Sequence, residues 1–171
     1  MSIINIVLIG MPACGKTTIA KNLSAKINFE NIDADKYLEK KENRIIKNIF
    51  SENGEEVFRN LEEKYIKELS EMDRIIISTG GGVIKRENNI VNLKKNGKII
   101  FIDRSIDDIM KENHENRPLL QNIQNVIKLY DERYELYRKY ADITVKNDST
   151  LNLLLDKIMT YLEQEKIIWK Y

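Results

Sequence analysis

Apolar residues along this chain fall into two kinds of run. Short β-branched blocks at residues 4–9, 74–78 and 98–102, a weaker one ending at Ile32 and another at 142–145 read as strands. Between them, apolar positions recur at helical spacing over residues 17–27, 34–40, 44–51, 55–71, 87–95, 106–111, 123–140 and 151–163. Strands alternating with helices predict an α/β fold in which a parallel sheet is covered by helices on both faces. Ligands of such sheets bind beyond the carboxyl ends of the strands. Residues that directly follow a predicted strand are therefore the first candidates for chemistry.

The block after the first strand is Gly10-Met11-Pro12-Ala13-Cys14-Gly15-Lys16-Thr17, a full G-x-x-x-x-G-K-[ST] phosphate-binding loop. Its glycines let the backbone fold around anionic oxygens, successive amides point inward, and the next helix adds a positive dipole end. A triphosphate nucleotide is the expected ligand, with Lys16 on the β and γ phosphates and the Thr17 hydroxyl on Mg2+.

Glycine is scarce elsewhere, yet Gly80-Gly81-Gly82 follow the strand ending at Ser78. Three in a row admit two readings, a tight strand-to-helix turn or a backbone approached closely by substrate. Asp33 and Asp35 follow the second apolar segment. In an extended stretch, that spacing would put both carboxylates on one side, Asp33 for Mg2+ through water and Asp35 for an attacking hydroxyl. Either could instead cap the helix that starts near Lys36. Arg59 and Glu62 stand three apart on one helical face, where Glu62 could orient the guanidinium and Phe50 and Phe58 could form a wall beside it, so a carboxylate-binding fork is one expectation. Arg133 is the second candidate cation. A single arginine on a charged helix otherwise reads as part of a solvated face.

Composition narrows the partners. Among 171 residues 32% are charged, yet the formal net charge is only +1, so no overall electrostatic pull toward nucleic acid or an anionic membrane is expected. The lone cysteine fits a reducing compartment, the start of the chain shows no secretory pattern, and no apolar run is long enough to span a bilayer. A cytoplasmic location is expected. A GTPase switch would need an Asn-Lys-x-Asp segment, and none is present.

Taken together, the phosphate loop, Asp33-x-Asp35, Gly54-Glu55-x-x-Phe58-Arg59-x-x-Glu62, Gly80-Gly81-Gly82, Arg117-Pro118-Leu119-Leu120 and Arg133-x-x-Leu136-Tyr137-Arg138 resemble the shikimate kinase family. The glycine-lysine loop is shared by many unrelated proteins, whereas the later blocks are much more specific. The resemblance implies a P-loop NTPase of the nucleoside-monophosphate-kinase-like kind. Its fold would be three layers, α/β/α, around a five-stranded parallel sheet, in one domain (1–171) with an acceptor-binding insertion at about 34–62 and a mobile lid at about 112–124. The implied reaction moves the γ-phosphoryl group of ATP to the 3-hydroxyl of shikimate, in the route to aromatic amino acids, by a monomer using Mg2+. Gly10, Ala13, Cys14, Gly15, Lys16, Thr17, Thr18 and Arg117 would then bind the nucleotide, and Thr17 and Asp33 the metal. Asp35, Arg59, Glu62, Gly80, Gly81, Gly82 and Arg133 would bind shikimate, with Lys16, Asp35 and Arg117 catalytic.

Departures from the family pattern are few. Met110, with Lys111 beside it, stands where members often carry an arginine that stacks on adenine, and His114 reads as a solvated loop residue without a catalytic role. Cys14 replaces a more usual Ser or Ala. At a helix N-terminus its thiol is expected to react with oxidants or alkylating reagents and so to block ATP.

Overall fold

A computed structural model of the chain describes residues 4–111 and 122–168. Five parallel strands, β1 (Asn5–Ile9), β2 (Glu30–Asp33), β3 (Ile75–Ser78), β4 (Gly97–Asp103) and β5 (Ile143–Lys146), form one sheet in the order β2-β3-β1-β4-β5. The central position of β1 follows from its composition: every residue of Asn-Ile-Val-Leu-Ile is buried, as expected of a strand covered on both faces. Edge strand β2, by contrast, is half-exposed along its length.

The helices are α1 (Lys16–Ile27), α2 (Ala34–Glu42), α3 (Ile46–Ser70), α4 (Glu87–Lys95), α5 (Ile106–Met110), α6 (Ile123–Tyr140) and α7 (Leu151–Gln164). Right-handed crossovers and the pairing of α1 with α7 and of α3 with α4 put α1 and α7 on one face of the sheet and α3, α4 and α6 on the other. The three-layer arrangement expected from the apolar pattern is thus observed. Among the described residues, no helix is long and apolar enough to cross a membrane.

The helical patterns at 44–51 and 55–71 are joined in α3, but Gly54 (φ 83°, ψ 172°) breaks the helical path between them. No atom lies within 4 Å of where a Cβ would be at Gly54. Glycine is needed there for its backbone conformation rather than for space. The break lets the first part of α3 lean over α2, where Leu38, Ile49, Phe58 and Tyr65 form an apolar cluster of their own. This satellite core is separate from the main one that fills the space around the sheet.

Candidate active site

The carboxyl ends of all five strands border a cavity of about 620 Å³, a size suited to small ligands. At one end, the loop after β1 turns sharply into α1. Gly10 (φ 147°) and Gly15 (φ 103°) take conformations open mainly to glycine, and Ala13 is left-handed at φ 63°. No side chain caps α1, so its first-turn amides are available to an anion. Lys16 is buried and donates from Nζ to the Gly10 and Met11 carbonyls at 2.9 Å each. Ala13, Gly15, Lys16, Thr17 and Thr18 line the cavity.

Gly10 and Cys14 lie behind the loop instead. A Cβ at Gly10 would come within 2.8 Å of Cys14 Sγ, and Cys14 is fully buried. That burial withdraws the thiol from dissolved reagents, so the reactive cysteine expected from the sequence is not what the fold presents.

The other end of the cavity gathers charged groups from separate elements. Arg59, on α3, donates from Nη1 to Glu62 Oε2 at 2.7 Å and from Nε to Glu55 Oε1 at 3.2 Å. Its guanidinium also sits over the Phe58 ring at 4.9 Å, and Phe58 packs on Phe50 with ring centroids 4.6 Å apart. Arg133 comes from α6 and is as deeply buried as Arg59. Both guanidinium groups line the cavity that holds Lys16.

The two aspartates do not share an extended stretch. β2 ends at Asp33, and Asp35 already belongs to the first turn of α2. Asp33 caps that helix, its Oδ1 accepting from the Asp35 and Lys36 amides at 3.1 and 3.2 Å. The capping alternative therefore holds for Asp33, and helical geometry turns the Asp35 carboxylate toward Gly80. Burial pushes the Asp35 carboxyl up to about 6, helped by the negative charges of Asp33 and Glu62 and opposed by Lys16. Desolvation raises Glu62 as well, more than Arg59 lowers it.

The triple glycine is explained by close approach. A Cβ at Gly80 would lie 2.7 Å from Asp35 Oδ1, at Gly81 2.8 Å from Pro12 Cδ, and at Gly82 2.5 Å from Arg59 Nη2. These glycines make room for side chains that line the cavity, and all three line it themselves. Beneath them Tyr137, fully buried and stacked on Phe101, donates from its hydroxyl to the Gly81 carbonyl at 2.5 Å.

Sequence patterns missed Arg104 and Asn147, which also line the cavity. Both follow directly after a strand, β4 and β5, so the rule that ligands collect at carboxyl strand ends was the signal that pointed to them. The tie from Lys85 Nζ to Glu55 Oε1, at 2.5 Å, was missed too. It links the turn after the glycines to the arginine fork. Met110 packs against the main core and Lys111 pairs with Asp108 at 2.9 Å; neither lines the cavity. Arg117 and His114 lie outside the described residues.

Among the described residues, no group of three or more His, Cys, Asp or Glu is arranged to hold a metal. Thr17 and Asp33 do border the cavity together. So sparse a donor set fits Mg2+, which keeps several waters and takes one or two protein oxygens alongside substrate phosphates.

Known proteins match this chain over most of its length. The family model described as shikimate kinase covers residues 12–164. A shikimate kinase of Clostridium botulinum (strain Alaska E43 / Type E3) is 42% identical over 88% of this chain and 92% of its own. One from Sulfurihydrogenibium sp. (strain YO3AOP1) is 37% identical over 94% and 98%. Among solved structures, the shikimate kinase of Acinetobacter baumannii in complex with shikimate superposes with a TM-score of 0.89 at 30% identity, covering 97% of this chain and 96% of that one. The enzyme of Aquifex aeolicus does so at 0.84 and 34%, covering 96% and 99%.

Proposed function

The chain belongs to the shikimate kinase family, and on that premise we propose how its residues divide the transfer of the ATP γ-phosphoryl group to the 3-hydroxyl of shikimate. Such a transfer needs the acceptor held in line with the γ-phosphate, cations on the equatorial oxygens and little water. The loop at residues 10–18 holds the phosphates through its amides and the N-terminus of α1. Lys16 bridges the β and γ oxygens. Arg59 and Arg133 clamp the shikimate carboxylate, Arg59 being steadied by Glu62 and Glu55. The amides of Gly80, Gly81 and Gly82 face the ring, and Asp35 accepts the proton of the attacking hydroxyl. Thr17 and Asp33 are the residues that would hold Mg2+, and the ion would supply neutralisation of the phosphate oxygens. Arg117, outside the described residues, adds a cation on the phosphates. The described residues of one chain already line the whole cavity, which supports a monomer of one kinase domain as the working form; a cytoplasmic location belongs to the same proposal.

One observation carries this reading: two buried guanidinium groups and a carboxylate of raised pKa share a cavity with the phosphate loop. The test is ADP release from Mg-ATP by the purified protein offered shikimate, gluconate, AMP or CMP in turn, with Arg59→Ala alongside. Shikimate-dependent turnover that collapses in the variant is expected. Stimulation by a nucleotide, or by no acceptor while ATP still binds, would overturn it.

A further inference from the structure

The phosphate loop is held from outside as well as by its own turns. Arg104, at the end of β4, donates from Nη1 to the Ala13 carbonyl at 3.0 Å. Asn147, at the end of β5, donates from Nδ2 to the Cys14 carbonyl at 2.9 Å. The two strand ends are themselves tied, since the Asn147 amide donates to the Asp103 carbonyl at 2.7 Å. Consecutive carbonyls of the loop are thus taken up by neighbouring strand ends far away in sequence.

We propose that Arg104 and Asn147 are positioning residues for the nucleotide, a brace that sets the loop's peptide planes before the phosphates arrive. In a trans peptide the C=O and the following N–H point in opposite directions. Drawing the Cys14 carbonyl toward Asn147 therefore aims the Gly15 N–H away from the brace. Asn147 sits close over this peptide: a Cβ at Gly15 would come within 3.0 Å of its Nδ2. The Arg104 bond acts where the backbone is least favourable, because Ala13 holds a left-handed conformation at φ 63° without being glycine. A charge-assisted donor on its carbonyl offsets that strain and brings a half-buried positive charge to the rim of the phosphate site. Preorganised amides bind an anion without first reordering the loop.

The brace acts through the loop, not through the base or the acceptor, and that sets its signature. It rests on residues 10–18 being the nucleotide site. Titrations with Mg-ADP and with magnesium pyrophosphate would be run on the whole protein and on Arg104→Gln and Asn147→Ala. Each variant is expected to raise the Kd of both ligands by a similar factor, about tenfold, the size of one lost hydrogen bond near a charge. KM for shikimate is expected to stay within about twofold, and Arg104→Lys, which keeps the charge and one donor, to recover part of the loss. Unchanged Kd values in the variants would overturn the brace. So would weaker ADP binding with unchanged pyrophosphate binding, which would put the contact on the base, or an equal loss at the acceptor, which would mean general distortion. The variants are independent, so misfolding of one leaves the other as the test. A wild-type protein that binds no ADP would overturn the kinase reading itself, whereas wild-type binding with unaltered variants overturns only the brace.

Discussion

As proposed, the nucleotide end of the cavity is built on one continuous run, residues 10–18, braced by Arg104 and Asn147, and works chiefly through backbone amides. The proposed acceptor end is assembled from the α2 start, α3, the turn after β3 and α6, and would work through charged side chains. Backbone amides pointed at an anion lose little water and carry no net charge of their own. Buried guanidinium and carboxylate groups must be desolvated, and they hold one another in place only as long as each keeps its partner. The acceptor end should therefore couple function to stability, and the nucleotide end should do so much less.

The largest expected effect of that contrast is at Asp35. Replacing it with Asn should lower kcat about 10²- to 10⁴-fold while making the protein more stable. The sign follows from the raised carboxyl: folded Asp35 titrates near 6 against 3.8 for the free group. Its ionised form thus costs stability above about pH 6, and the cost fades as pH falls toward 3.8. Denaturant unfolding in magnesium-free buffer should show Asp35→Asn ahead by about 2 kcal/mol at pH 7.5 and level with wild type near pH 4. A variant less stable at neutral pH would show that the charge is not strained.

Arg59 should behave in the opposite sense. Arg59→Ala leaves Glu62 buried without its partner, so alongside lost turnover a stability loss of about 3 kcal/mol is expected. Adding Glu62→Gln should return most of the stability and none of the shikimate binding. If the double variant stays as unstable as the single one, the loss lies in packing against Phe58 rather than in the orphaned charge.

The smallest effect is expected at Tyr137. Tyr137→Phe keeps the stacking on Phe101 and removes the bond to the Gly81 carbonyl together with the hydroxyl's interaction with Arg133, a change of about 1 kcal/mol. KM for shikimate should rise severalfold with KM for ATP unchanged. An equal rise in both would mean that the hydroxyl supports the fold at large and not the acceptor turn.

Much of this was legible beforehand, for identifiable reasons. Strands β1, β3 and β4 announce themselves as β-branched runs because both their faces are buried. The phosphate loop is legible because its parts are adjacent in sequence. Whether Asp33-x-Asp35 shares an extended stretch or straddles a helix start is not legible in the chain, since a strand end and a helix cap use the same residue type at the same place. The burial of Cys14 is not legible either: a helix N-terminus can be read from the chain, whereas the side of the loop a thiol faces depends on what packs behind it.

Local order along the chain was enough for the alternating strands and helices, the glycine-lysine loop and the pairing of Arg59 with Glu62, because each rests on contacts within a few residues. Folding in three dimensions set the rest. Arg133 shares a cavity with Arg59, Tyr137 reaches Gly81, and Arg104 and Asn147 grip the loop only because a parallel sheet brings all its carboxyl ends to one edge. The Asp35 carboxyl, likewise, owes its raised pKa to burial and to neighbours on other elements. No pattern in the linear chain carries that information, since desolvation and Coulomb forces act through space.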